Sequence, residues 1–320
     1  MYTRRMTITE ELSGHRLDFS VSRELGVGRT YAQTLIRDGR VLSSGDRRIK
    51  PSIKVGLGEE YSIEIPPPER LDLEPEDVAF RVVYSDDDVI VVDKPAGLVV
   101  HPAPGHWSGT LVHGLLFRFP ELGSLNGVER PGIVHRLDAT TSGLMVVARN
   151  GLAQESLFKE FKERRVSKTY LALCHSVPER AAGRIDMPVG RDPVNRHRMA
   201  VTNRGRAAVT DYTVIWSDGG YSFVRCAPRS GRTHQIRVHM KALNCPLVGD
   251  ELYAPSRRSP FLSPRVFLHS WKISFTHPRH GGPMDFRSFI PDDLIECLRA
   301  IRVPSAIPPD RPELSSAPCR

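Results

Sequence analysis

Residues 66–77 read PPPERLDLEPED, and this stretch constrains the chain more than any other. Three consecutive prolines supply no backbone N–H, so neither a helix nor the interior of a sheet passes through them. The acidic residues that follow bring little apolar surface to bury, which is the composition of a linker. The chain therefore divides. A length of 320 residues allows about two domains on its own. The expectation is a small unit over 14–76, whose linker occupies about 66–77, and a larger unit over 77–303.

In the small unit Leu17, Val21 and Leu25 fall at helical spacing, Leu35 and Ile36 suit a second short helix, and EYSIEIP alternates as a strand. The larger unit is richer in strands. FRVVY, DVIVVDKP, GLMVVAR, KTYLALC, AVTDYTVIW, YSFVRCAP and VFLHSWKISF are β-branched or alternating runs. LAQESLFKEFKERR reads as a helix with Leu157, Phe158 and Phe161 on one face, and HQIRVHMKAL and DDLIECLRAI are shorter helical stretches. Strands in runs with few helices between them indicate an α+β fold around a mixed, largely antiparallel sheet. Residues 304–320, rich in Pro and Ser, are expected to be a flexible tail.

A net charge of +8 favours a polyanionic partner, because Lys and Arg release condensed counterions from phosphate. Nucleic acid leads the candidates. The five cysteines are scattered and never form Cys-x-x-Cys, which argues against a disulfide framework or a zinc cluster. With no apolar run long enough to span a bilayer and no secretory h-region after the first residue, the expected address is the cytosol, without a membrane.

The tetrapeptide HRLD occurs twice, at 15–18 and at 135–138. In the first copy Leu17 belongs to an apolar helical stripe, and Asp18 in the first turn is favoured by the helix dipole alone. The cations that follow, Arg29, Arg37, Arg40, Arg47, Arg48 and Lys50, crowd a very small body and suit phosphate. RLD, then GVGRTYAQTLIRDGRVLSSGDRRIKPS, then a closing strand, resembles the S4 RNA-binding domain, with Gly28-Arg29 where that family usually has Ser-Arg and Ser44-Gly45 where it usually has Asn-Gly. The resemblance implies that the second helix and the following loop face RNA, and that Asp18 is structural.

The second copy leaves a turn at Pro131-Gly132 and runs through Ala-Thr-Thr-Ser-Gly into an apolar strand. Asp138 thus lies on a loop between rigid elements, where catalytic groups tend to sit. HRLDATTSGL, with IVVDKPAGLVVHPAPG upstream and SKTYLALC and SGRTHQIRVHM downstream, resembles the RluA family of RNA pseudouridine synthases over residues 14–303. With an S4 unit in front, the order is most similar to the branch acting on large-subunit ribosomal RNA. The resemblance implies that Asp138 is the catalytic aspartate and that Arg136 lies beside the flipped nucleotide. It implies that Tyr170 stacks on the target uracil and that Arg232 pairs with the catalytic carboxylate, with Arg237 of the same segment open as the alternative. It also implies a monomer that uses no cofactor.

The chemistry agrees with that reading. Converting uridine to pseudouridine breaks C1′–N1, turns the base and joins C1′ to C5, so the base must stay captive. A stacking tyrosine in a closed pocket achieves this, and flipping the base out of its stack calls for cations around the carboxylate. Burial would neutralise that carboxylate, whereas a nearby guanidinium favours its charged form. Twelve histidines raise a metal reading, but His234 and His239 would sit about 140° apart on a helix, poor for one ion. No metal site is expected, and His101 and His106 read as parts of a structural loop. Gly-x-Ser-x-Gly, Walker and Gly-x-Gly-x-x-Gly patterns are absent. Two rivals remain: an S4-bearing RNA-binding or ribosome-assembly protein whose second domain no longer catalyses, and a glycosidase that would release free uracil.

Overall fold

The computed structural model describes residues 2–25, 29–44, 49–66, 73–103, 105–124, 131–195, 198–255 and 265–304. Gly28, Gly45, Arg47, Arg48, residues 67–72 of the linker and residues 305–320 with Cys319 lie outside them. The chain forms two compact units, Met1–Leu71 and Asp72–Arg320.

The smaller unit runs β1 (Tyr2–Thr7), α1 (Leu17–Leu25), α2 (Arg29–Arg37), β2 (Val41–Ser43) and β3 (Glu60–Ile65), with the strands ordered β1-β3-β2. Leu17 and Val21 from α1 and Leu35 and Ile36 from α2 pack with Met6 and Ile63 into a core of their own. Both helices therefore bury the stripes that their spacing predicts. The unit starts well before residue 14. TRRMT carries charge where a strand usually alternates, and among 3–7 Met6 is the buried residue, so β1 leaves no period-2 signal. At the other end Leu73 packs on the core of the larger unit and the Glu76 carboxylate accepts the Gly109 N–H at 3.0 Å. The division at 71/72 rather than near 76 follows from those two attachments.

The larger unit contains β4 (Arg81–Ser85), β5 (Val89–Lys94), α3 (Leu111–Arg118), β6 (Ser142–Ala148), α4 (Gly151–Lys162), β7 (Ser167–His175), β8 (Ala182–Asp186), β9 (Val189–Arg191), β10 (Met199–Val201), β11 (Val209–Ser217), β12 (Tyr221–Pro228), α5 (Gln235–Ala242), β13 (Leu268–Thr276), β14 (Pro283–Arg287) and α6 (Asp292–Ala300). Its main sheet runs β4-β5-β6-β13-β7-β12-β11-β8, while β9 and β10 form a separate pair. Pairing is antiparallel except between β6 and β13, which meet in parallel over Ser142 and Gly143 alone. From Lys272 onward β14 takes up that edge of β13. Gly143 is required at the junction: its φ is +111°, and a Cβ there would lie 2.3 Å from the Ser270 carbonyl oxygen.

Continuous apolar runs account for the centre of the sheet, since Val89, Val91, Leu144 and Val146 face one core and Ile90, Val92, Met145 and Val147 the other. α4 starts at Asn150, whose side chain accepts the Ala153 N–H at 2.9 Å. Its inner stripe is Ala153, Leu157 and Glu160, so Phe158 does not join Leu157 in the core as the sequence pattern suggested. Adjacent residues on a helix point about 100° apart, and Phe158 is 46% exposed. Among the described residues no helix is long and apolar enough to cross a membrane.

Candidate active site

Asp138 lies on the loop between β6 and a stretch, 131–137, in which Pro131 to Val134 and Leu137 are buried and Arg136 is exposed, and its carbonyl oxygen closes the turn by accepting the Thr141 N–H at 3.0 Å. The loop is fastened from beneath by Lys94 at the end of β5. Lys94 is fully buried, and its ammonium donates to the carbonyls of Pro95 and Leu98 at 2.8 Å each and of Ala139 at 3.1 Å. Burial pulls its pKa down to about 7, while the Asp138 charge opposes that fall. Three donors meeting three carbonyls match the ammonium form. His135, preceding Arg136, fixes the other side: its Nε2 accepts the Val146 N–H at 3.0 Å and its ring stacks on Phe161 at 4.6 Å. Burial, with Lys168 nearby, holds His135 neutral by lowering its pKa to about 3.

The carboxylate of Asp138 points into a cleft of about 380 Å³ lined also by Arg136, Lys168, Tyr170, Arg232 and Arg237. Its guanidinium partner is Arg237, whose Nη1 lies 3.4 Å from Oδ2. Arg232 does not hold that place. Its backbone N–H donates to Gln235 and its Nε to the Ala207 carbonyl, so it lines the cleft without reaching Asp138. The reason is helix phase. Gln235 grips Ser230, Arg232, Val209 and Thr210 at the mouth of α5, and the helix then turns Arg237 inward.

Arg237 is held by a residue that the sequence pattern did not single out. Asp250 accepts Nε and Nη2 at 2.8 Å each, and Tyr253 lies under the guanidinium with 5.0 Å to its ring centre. An acid inside the apolar run PLVGDELY was the available signal. The Tyr253 hydroxyl accepts from the Met199 N–H and meets His234 Nδ1 at 2.8 Å, so it donates there and leaves the proton of neutral His234 on Nε2. That nitrogen is 3.8 Å from Asp138 Oδ2. Burial lowers the His234 pKa, with Asp138 acting the other way. Tyr170, on β7, is buried, and burial pushes its hydroxyl up to about 12, so a neutral aromatic ring faces the cleft.

Asp86, Asp88 and His277 gather as a cluster elsewhere in the unit. Their oxygens already accept from Val89, Tyr84, His277, Asn150 and a two-pronged Arg279, which makes this an ion-pair network. His239 is engaged separately from His234, by Thr210 and the Met187 carbonyl at 2.9 Å each.

Residues 88–242 match the family model described as RNA pseudouridylate synthase. The chain is 41% identical over 93% of its length, and 97% of the relative's, to the Uncharacterized RNA pseudouridine synthase YlyB of Bacillus subtilis. The chain belongs to the RNA pseudouridine synthase family. This synthase is thus an isomerase that converts uridine to pseudouridine. It is also 41% identical over 94% of its length, and 83% of the relative's, to a Ribosomal large subunit pseudouridine synthase D of Neisseria meningitidis. The synthase shares its fold with the human protein RNA Pseudouridylate Synthase Domain Containing 1, at a TM-score of 0.54 and 29% identity, covering 69% of this chain and 89% of that one.

In the smaller unit the candidate RNA-binding cations are spread over several elements. Arg37 ends α2, Arg40 follows it, and Lys50 is exposed on the loop before β3. Arg29 is partly committed, because its Nε and Nη2 donate to Asp18 at 3.1 and 2.9 Å. Asp18 is fully buried and also accepts from Arg16 and Gln33, so it is the hub of this unit rather than a mere helix-dipole partner. Those partners hold its carboxyl well below the usual range against the opposing effect of burial.

Proposed function

We propose that this enzyme modifies uridines of large-subunit ribosomal RNA, with Asp138 as the catalytic residue and the target base flipped into the cleft. The observation that carries the reading is one carboxylate set between a buried aromatic and a braced guanidinium in a cationic cleft. In the isomerisation C1′–N1 breaks, the base turns, and C1′–C5 forms; the C5 proton leaves and N1 gains one. Addition of Asp138 to the nucleotide and removal of a proton from it both use the carboxylate, beside which Arg237 stands at 3.4 Å. Tyr170 stacks on the detached uracil and keeps it from escaping. Arg136, exposed at the mouth, holds the flipped nucleotide's phosphate. No group departs from the enzyme, so one carboxylate suffices where a glycosidase uses two. The similarity to a synthase named for the large ribosomal subunit supports the substrate. The unit Met1–Leu71 acts in this scheme as an S4-like RNA-binding domain.

Carbodiimide primer extension across ribosomal RNA tests the reading. RNA from cells lacking the protein should lose stops at defined large-subunit uridines. The wild-type gene should restore them and Asp138→Asn should not, while the variant binds RNA within about threefold of wild type, since the amide keeps the shape of the carboxylate. Stops unchanged by the deletion would reject this substrate.

A further inference from the structure

The cleft continues beyond Tyr170 along the end of α4, where Phe158, Phe161, Lys162 and Arg164 line it. Phe158 and Lys162 are one helical turn apart and share a face. Phe161 is committed to His135, but Phe158 is 46% exposed and contributes nothing to the inner stripe of the helix. Arg165 pairs with Glu160 and Glu163, which takes up acids of this segment. Lys162 and Arg164 have no ion pair among the described residues. Arg164 adopts a φ of +60°, uncommon for a residue with a side chain, at the point where the chain leaves the helix beside the cleft. The whole lining sets seven Lys and Arg side chains against one carboxylate, Asp138.

We propose that Phe158, Lys162 and Arg164 form a subsite for the nucleotide adjacent to the target uridine, the ring stacking on its base and the two cations meeting its phosphates. The inference rests on the reading of the cleft as the place where uridine is isomerised. A flipped base leaves its neighbours with a bare face, and an exposed aromatic ring is the simplest replacement for the missing stack. Tyr170 is already assigned to the target uracil, so a second, outer aromatic has a separate task. An RNA strand is the occupant that the surrounding positive charge selects, and stacking makes the subsite tolerant of base identity.

The test uses full-length protein and a large-subunit ribosomal RNA transcript tritiated at uridine C5, read by tritium release and by filter binding. Phe158→Ala and Phe158→Leu should each raise KM and Kd about tenfold with kcat changed less than about twofold, because Leu keeps apolar area but loses the flat ring. Phe158→Tyr should restore wild-type values. Leu152→Ala, at a position 53% exposed on the same helix but outside the cleft, serves as the control and should change nothing. Lys162→Gln and Arg164→Gln should each lower the salt slope of binding by about one. KM and Kd of Phe158→Ala equal to those of Leu152→Ala, or full retention in Phe158→Leu, would overturn the subsite. If wild-type protein releases no tritium, the substrate reading fails, and the binding arm alone still decides whether Phe158 contacts RNA.

Discussion

Asp138 faces the Arg237 guanidinium at 3.4 Å, and Asp250 holds that guanidinium from behind with two bonds of 2.8 Å. The pair of acids therefore shares one cation, and the less buried of the two, Asp138, is the one that faces the cleft. Arg237→Gln should lower kcat by about a hundredfold or more, which corresponds to about 2.7 kcal/mol at the transition state. It should also lower the melting temperature, because Asp250 would stay buried without its partner, a loss of about 3–5 kcal/mol. Arg232→Gln should leave kcat within about threefold and act on KM. Single-turnover kinetics on both variants, with calorimetry, checks this; equal losses of kcat would return Arg232 to the carboxylate. Asp18 in the first HRLD carries a different expectation. Asp18→Asn should leave kcat unchanged yet weaken the smaller unit by about 1–2 kcal/mol, read from its urea midpoint, since the hub loses charge-assisted bonds from Arg16 and Arg29. That Asp138, Arg136 and Tyr170 line one cleft was foreshadowed because each sits in a short motif with its own residue types. The choice between Arg232 and Arg237 was not, because only the start of α5, with His234 at a φ of 55°, decides which arginine turns inward.

Among the elements, the end of β5 does most to fix the site. DKPAG supplies both the Lys94 ammonium and the Gly97 N–H, which donates to the Ala139 carbonyl at 2.8 Å, so two groups of one turn clasp the residue after Asp138. Lys94→Met removes three bonds and leaves three carbonyl oxygens to be satisfied elsewhere. The expected outcome is a folded enzyme whose kcat is lowered about tenfold to a hundredfold with Kd for RNA nearly unchanged, and with faster amide exchange at residues 138–141. Unaltered turnover together with unaltered exchange would remove Lys94 from this role. The strands β4 to β7 and β11 to β13 were legible as apolar runs. β8, β9, β10 and β14 are short and half exposed, and α3 buries Leu111 through Leu116 in succession, so none of them shows a clean period.

At the scale of the molecule, separate cores let the RNA-binding role proposed for the smaller unit be tested apart from catalysis. Residues 72–320 should fold alone and, at saturating RNA, turn over within about threefold of the full chain. At limiting RNA the fragment should be slower, and its binding should depend less steeply on salt, by about one counterion for each phosphate that the smaller unit would have neutralised. A filter-binding titration across salt on both proteins measures this. Identical slopes would mean that Arg37, Arg40 and Lys50 serve solubility rather than RNA. Three prolines led to an expected boundary near residue 76, where the chain divides at 71/72, and the contribution of residues 2–7 was hidden by the charges of β1.

β13 lies between β6 and β7 although it is made long after either, and β6 touches it through two residues. A ribosome that has translated as far as residue 267 has already joined Asp138, Tyr170 and Arg237 into one chain, yet the strand that belongs between the two halves of the sheet has not been synthesised. Until Leu268–Thr276 emerges and slots in, the loop carrying the carboxylate and the strand carrying the tyrosine have no shared backbone ladder. A message truncated before that strand is therefore expected to yield a chain that carries Asp138, Tyr170 and Arg237 without the strand that joins the two halves of their cleft.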